Sequence, residues 1–280
     1  MKIDLHCHSH FSDGKLPPHV LLQRAVENGL THLALTDHDS IDGIINLRQY
    51  SNELTIINGV ELSCLWNNIE IHIVGLLINL ENKGIGDLLA SQQKQRKHRA
   101  LAIDEKLRKL GVEGLTDYLQ TLPCTAYTRS HIADFLVQKD ICKNRQKAFK
   151  THLGKRGKAY VPASCCKLAE GVAAICAAGG IAVIAHPGRY SLSKKKLESL
   201  FDEFKLHGGE AIEGSYSNID PMTKTYLSKI AEEKSLYISA GSDFHDPSAS
   251  WTEIGKFPAL DQQAKKNAIW LHPKWHFSVS

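Results

Sequence analysis

Short apolar runs recur along the chain, and most of them end in a residue that can bind a metal or move a proton. Ile3 to Leu5 precede His6, Leu33 to Thr36 precede Asp37 and His38, and Ile56 to Val60 precede Glu61. Ile69 to Val74 surround His72, Ile181 to Ala185 precede His186, Ala211-Ile212 precede Glu213, and Leu236 to Ala240 precede Gly241-Ser242-Asp243. Runs of this length bounded by polar residues read as buried strands. Between them apolar positions recur with helical period: Val20, Leu21 and Ala25 before Gly29, Leu197, Leu200, Phe201 and Phe204 before Gly208-Gly209, then Tyr226, Leu227 and Ile230. Alternating strand and helix predicts parallel βαβ units. Polar residues beyond so many different strand ends favour an α/β barrel with its site on the C-terminal face. An open doubly wound sheet would gather them at one switch point.

The rhythm breaks from Ile85 to about Ala169. Leu88, Leu89, Ile103, Leu107 and Leu110 form one helical stripe, and Ile132, Phe135 and Leu136 another. The expected organisation is a barrel from residues 1–84 and 170–257, a helical insertion over 85–169, and a C-terminal tail over 258–280 whose Trp270 and Trp275 pack over the barrel. Between positions 94 and 109 of the insertion, seven cations (Lys94, Arg96, Lys97, Arg99, Lys106, Arg108, Lys109) face only Asp104 and Glu105, and Lys155-Arg156-Gly157-Lys158 follows. A solvated helix face explains such charge equally well unless an anionic substrate is at hand.

Composition narrows the class. With 280 residues, 42% hydrophobic and 23% charged, the chain is an ordinary globular one, long enough for a large α/β domain plus an insertion. A net charge of +4 is too mild on its own to indicate nucleic acid or an anionic membrane. The longest weakly polar run, Gly171 to Ala185, covers 15 residues and falls short of the roughly 20 that a spanning helix needs. The N-terminal residues lack the apolar core of a signal peptide, so the expected location is the cytoplasm, with no membrane association. Seven cysteines without a CxxC pair read as reduced thiols.

The 15 histidines change the picture more. His6 and His8, two apart at a strand end, point to one face while Cys7 packs on the other. Such a pair alone is weak, but it has company in Asp13, Asp37-His38-Asp39, Glu61, His72, His131, His186, Asp243 and His245. Imidazole and carboxylate donors without thiolate suit Mn²⁺, Zn²⁺ or Fe²⁺, and their number exceeds what one ion takes. Ions about 3.5 to 4 Å apart clamp an in-line phosphoryl displacement and activate water, so no serine or cysteine nucleophile is required.

Asp4-Leu5-His6-x-His8-Ser9, Thr36-Asp37-His38, Gly59-Val60-Glu61, Ile71-His72-Ile73-Val74-Gly75, Arg129-x-His131, Ala185-His186-Pro187 and Gly241-Ser242-Asp243-Phe244-His245 together resemble the PHP (polymerase and histidinol phosphatase) family. Glu70 to Leu76, Gly157-Lys158-x-Tyr160-Val161-Pro162 and Ala185 to Tyr190 resemble the branch of 5′–3′ exoribonucleases and nucleoside 3′,5′-bisphosphate phosphatases. The resemblance covers about residues 1–255 and implies a distorted (β/α)7 TIM-like barrel holding three divalent ions, Mn²⁺ before Zn²⁺ or Fe²⁺. It implies one ion on His6, His8, Glu61 and Asp243, a second on Glu61, His72 and His131, and a third on Asp13, His38 and His245. Asp13 stands where other branches carry histidine, which implies a harder third ion.

His186 is expected beside the site, touching substrate phosphate or supporting a ligand, and joins Glu61 and Asp243 as a candidate catalytic residue. Arg129, Lys158, His186 and Arg189 are the candidate substrate contacts, with Tyr160 or Tyr190 to stack on a base. Asp37 is read as orienting His38 or a neighbour, and for Glu213 a pocket role and a structural one stand equal. The implied substrates are 5′-phosphorylated RNA ends or nucleoside bisphosphates, cleaved at the 3′ oxygen by a metal-bridging hydroxide, with no obligate protein partner. A small-molecule phosphatase of histidinol-phosphatase type is the alternative. A noncatalytic metal-stabilised module is disfavoured because all nine ligand positions are filled.

Overall fold

The computed structural model describes residues 2–50 and 54–277. Seven strands form the ring: β1 (Ile3–Asp4), β2 (His32–Leu35), β3 (Thr55–Trp66), β4 (Ile69–Leu76), β6 (Ile181–Ile184), β7 (Ala211–Ser215) and β8 (Tyr237–Ala240), in the order β1-β2-β3-β4-β6-β7-β8. The short β5 (Cys166–Lys167) pairs with the outer end of β3. No β1–β8 ladder exists among the described residues. The barrel closes through the chain just beyond the strands, where the Leu5 N–H donates to Ala240 O and Cys7 bridges Phe244. This is the distorted seven-stranded α/β barrel expected above.

One strand departs from the parallel expectation. β4 is antiparallel to both β3 and β6. Its link to β3 is the two-residue turn Asn67-Asn68, both at positive φ (48° and 60°), the backbone that matches hairpin twist and that asparagine tolerates. Reversal puts the mid-strand His72 opposite Ser63 and level with the step into His186, since the Ala185 N–H donates to His72 O.

Ala34, Ile57, Val74, Val183 and Ala211 fill the barrel interior, and the tail's Ile269 and Trp275 join that cluster. Positions 278–280 of the tail lie outside the described residues. On the outside, α7 (Leu168–Ala177), α8 (Lys194–Leu206) and α9 (Pro221–Glu233) cover one stretch of the sheet, and α1 (Pro18–Glu27) and α2 (Asp42–Leu47) another. The weakly polar run from Gly171 divides between α7 and β6, and no described helix is long and apolar enough to cross a membrane. All seven cysteines are free thiols.

The helical lobe has its own core. α3 (Lys83–Arg108), at 26 residues, is about 39 Å long. Ile85 and Leu89 in its first half pack on the barrel, while Ala100, Ile103 and Leu107 pack with α4 (Leu115–Gln120), α5 (Arg129–Gln138) and α6 (Arg145–Ala148). The lobe's own packing therefore starts further along the chain than the change of pattern at Ile85, because one continuous helix serves both cores.

Candidate metal centre and its basic flank

His6 and His8 follow β1 and are fully buried, with Cys7 turned into the outer core. Asp243 follows β8 and His186 follows β6, each in the left-handed backbone region that non-glycine residues rarely adopt (φ 52° and 32°). Hydrogen bonds hold both: the Asp243 N–H donates to His6 O at 2.7 Å, and the His186 N–H donates to Glu213. The side chains converge. His6 Nε2 lies 3.4 Å from Glu61 Oε1 and 3.3 Å from Asp243 Oδ1, and His8 Nε2 lies 3.3 Å from Glu61 Oε2 and 3.2 Å from Asp243 Oδ1. Glu61 extends the group, with His38 Nδ1 at 2.8 Å, His72 Nδ1 at 3.1 Å and His186 Nε2 at 3.0 Å from its oxygens. Asp13 Oδ1 sits 3.6 Å from His38 Nε2 and 3.3 Å from His245 Nε2.

These separations test whether metal fits. Donors about 2.1 Å from a shared ion lie roughly 3 to 3.5 Å from one another, which is the spacing found. Three overlapping groups have their donor atoms within 4.8 Å: His8, Asp13, His38 and His245, then His6, His8 and Glu61, then His38, Glu61 and His72. His186 Nδ1 is buried without a hydrogen-bond partner, and Asp13 Oδ1, His38 Nδ1 and Glu61 Oε2, though close to other donor atoms of the cluster, make no well-aligned hydrogen bond, a costly state that a cation relieves. Against the cost of burial, His38, His6 and His72 hold the Glu61 carboxyl well below its ordinary range, while burial and neighbouring histidines push His8 down to about 3. The anionic carboxylate and the neutral His8 are in the states that metal requires, whereas facing carboxylates raise His6, His38 and His245, so a cation bound there takes the place of protons.

A supporting layer sets the orientation of these donors. His6 Nδ1 meets Glu213 Oε1 at 2.7 Å, which turns Nε2 inward, and His245 Nδ1 donates to Asp243 O at 2.9 Å. Asp37 accepts from Ser9 N (2.7 Å), Ser9 Oγ and Ser12 Oγ (2.6 Å each), so it braces the loop carrying Asp13 and does not touch a metal donor itself. Glu213, left open by the sequence, has this supporting role.

His131 stands apart from the centre. At the third position of α5, its Nδ1 accepts from the Thr128 backbone N–H at 3.1 Å in a capping box. Nδ1 is thereby committed to capping α5, and His131 is not among the donors that cluster with His72, where it was expected. His186 meets His72 instead, beside Glu61.

Next to the centre lies a cavity of about 110 Å³ that shares Asp13, His38 and His72 with it and is completed by Glu70, Arg96, Arg99, Thr128, Arg129, Ser130 and Phe149. Arg129 Nη2 donates to Glu70 Oε2 at 3.0 Å, and Arg99 approaches the same oxygen at 3.5 Å. Glu70 is half-buried, yet Arg129 and Arg99 bring its carboxyl down to about 2. Arg96 is spent structurally, on Asp39 (2.7 Å), Ser63 Oγ (2.8 Å) and Tyr127 O (3.0 Å). Thr128, which caps α5, and the helix's first two residues, Arg129 and Ser130, form this side of the wall. Arg99 and Glu70 were not singled out from the sequence. Their signals were the i,i+3 spacing of Arg96 and Arg99, and the two-residue spacing that puts Glu70 on the face of His72.

The other expected contacts divide. Arg189 pairs with Asp243, donates to Ser217 O at 3.2 Å and lies over the Tyr216 ring, so it reaches the centre by holding Asp243. Lys158 is exposed in the lobe and is not part of the cavity wall, because its turn folds back so that its N–H bonds Thr151 O. Tyr190 packs against the outer core with its ring edge-on to His186, and its hydroxyl accepts from His72 N at 2.8 Å and donates to Ala185 O at 3.0 Å.

The model of the PHP domain matches residues 4–209. The chain belongs to the PHP family. It is similar to the 5′-3′ exoribonuclease Rnm of Escherichia coli K12, at 40% identity over 90% of this chain and 88% of that one. To the 3′,5′-nucleoside bisphosphate phosphatase of Chromobacterium violaceum it is 36% identical, over 90% of each. A solved amidohydrolase from Chromobacterium violaceum, with sulfate bound and no metal, superposes with a TM-score of 0.89 and 31% identity, covering 97% of this chain and 95% of that one. As a PHP protein the chain is a hydrolase, a metal-dependent phosphoesterase whose candidate ligands are the clustered histidines and carboxylates above.

Proposed function

We propose that this PHP protein hydrolyses the phosphate ester at the 3′ oxygen of a 5′-phosphorylated nucleotide. It would shorten 5′-monophosphorylated RNA from its 5′ end and convert nucleoside 3′,5′-bisphosphates to 5′-monophosphates. One observation carries this reading. A cavity walled by Arg99, Arg129 and the start of α5 is continuous with His38 and His72, so a second phosphate has a place beside the reacting one. The named relatives act on RNA and on a nucleoside bisphosphate, and the two substrates share a 5′-phosphate and a 3′-oxygen ester.

Three divalent ions, Mn²⁺ first, fit the donors. His6, His8, Glu61 and Asp243 would hold one, Glu61, His72 and His186 a second, and Asp13, His38 and His245 the third, with His186 taking the place first given to His131. Bound there, the ions supply Lewis-acid stabilisation of the phosphoryl oxygens and a more acidic water. The chain's residues do the positioning. Arg99 and Arg129 grip the 5′-phosphate in competition with Glu70, Glu213 fixes the His6 ring, and Arg189 locks Asp243 while presenting its outer edge to the reacting phosphoryl group.

The test is product analysis of Mn²⁺-loaded protein given matched ribo-oligonucleotides with a 5′-monophosphate or a 5′-hydroxyl, adenosine 3′,5′-bisphosphate and histidinol phosphate. Mononucleotides released one at a time from the phosphorylated strand, together with AMP from the bisphosphate, are expected. Turnover of histidinol phosphate alone would replace the reading with that of a small-monoester phosphatase.

A further inference from the structure

Between Asp140 and Glu170 the chain has no carboxylate and eight lysines and arginines. Arg145 is paired, because Asp134 accepts from it and from Lys15. Lys143, Lys147 and Lys150 are not: all three are exposed, and none forms an ion pair among the described residues. They line one open groove of about 480 Å³ beside Ile141 and Asn144. Like charges held together on one surface repel, so this arrangement opposes its own folded state unless an anion lies across it.

The groove adjoins the candidate site through one helical segment. α6 and the π-helical turn Phe149–Leu153 that continues it bury Ala148 and Leu153 in the lobe core, and Phe149 forms part of the cavity wall with Arg129 above its ring. Lys150 is the next residue, and Lys147 lies one turn back, about 4.5 Å along the axis. A strand leaving the cavity over Phe149 meets Lys150, then Lys147, then Lys143. A mononucleotide bisphosphate needs none of them, since both its phosphates are served inside. The groove offers point charges on flexible stems and neither a bidentate arginine nor an aromatic anchor. That suits a repeating phosphate backbone better than an acidic protein surface.

We propose that Lys143, Lys147 and Lys150 form a phosphate track for the RNA strand on the 3′ side of the scissile linkage, giving polynucleotides an advantage over mononucleotides. The inference rests on the nucleotide reading of the site, and its test separates the two. The full-length K143A/K147A/K150A variant is compared with the unaltered chain on a 5′-phosphorylated decamer and on adenosine 3′,5′-bisphosphate, from 50 to 200 mM salt. Binding of a 3′-labelled 5′-hydroxyl decamer is measured by fluorescence anisotropy alongside. The variant is expected to lose about 10-fold in kcat/KM on the decamer and to flatten its log–log salt slope by about 2, at roughly 0.7 per phosphate contact. Bisphosphate turnover stays within about twofold. Equal losses on both substrates, or an unchanged decamer slope and affinity, would overturn the track. Salt-sensitive decamer binding that depends on these lysines, with no nucleotide cleaved by the unaltered chain, would instead overturn the substrate reading and leave the track standing.

Discussion

At the barrel end, His6, His8 and Asp243 are buried just past strand ends and Glu61 within β3, with Glu213 bracing His6 and Arg189 bracing Asp243, whereas Lys143, Lys147 and Lys150 stand exposed and unbraced on the lobe. The two regions answer different physical demands. Holding cations and a reacting phosphoryl group requires donors placed within a few tenths of an ångström, which buried strand ends and the Glu213 and Asp37 supports provide. Gathering a flexible polyanion requires only charge density near the entrance, which mobile lysines supply without fixed geometry. Between them lies the cavity with Arg99 and Arg129, where one wall comes from each region. On the proposed reading, chemistry is carried by the barrel and choice of substrate by the lobe.

Substitutions in one region should break one property and spare the other. The largest effect is expected for Asp243→Ala, which removes a donor shared with His6 and His8 and should cost at least about 10³-fold in kcat on RNA and bisphosphate alike. A wild-type rate in that folded variant would remove Asp243 from the centre. Arg129→Ala should lose about 10- to 100-fold in kcat/KM on 5′-phosphorylated substrates, the value of a hydrogen bond to a charged group, and little on a 5′-hydroxyl control. Equal loss on both would place Arg129 outside the phosphate wall. Glu213→Gln keeps the shape but loosens His6, so activity should fall about 10-fold on all substrates and recover partly as Mn²⁺ is raised, a rescue that damage to the fold would not show.

The smallest effect is expected at His131, where the reassignment is sharpest. His131→Ala should lower stability by about 1 kcal/mol, read as a fall of about 2–4 °C in Tm, while kcat stays within about threefold. A loss of activity matching that of His72→Ala would return His131 to the metal centre.

The ends of β1, β2, β6 and β8 were readable because their apolar runs stop just before His6, Asp37-His38, His186 and Asp243, and alternation makes His6 and His8 neighbours whatever the remaining fold, whereas Glu61 and His72 proved to lie within longer strands. Direction was not readable: the run from Ile69 to Val74 is apolar in either sense, and only the Asn67-Asn68 turn hints that β4 doubles back. For a related reason the sequence does not separate His131 from His186. Both lie in short motifs near an arginine, and what separates them is that α5 uses His131 as its own cap, a competition between helix and ligand visible only once the helix start is known. Arg99 was lost among its cationic neighbours, since a run of charge does not say which member turns inward.

The barrel's closure has a further consequence. β1 and β8 are joined by the segments that present the ligands: the His8 N–H donates to Phe244 O at 2.9 Å and the Asp243 N–H to His6 O at 2.7 Å. Occupancy of the centre and breathing of this seam are therefore one equilibrium. The amide protons of His8 and Asp243 should exchange with solvent slowly when the centre is loaded and faster after chelation, while those of the β3–β4 hairpin keep their rate.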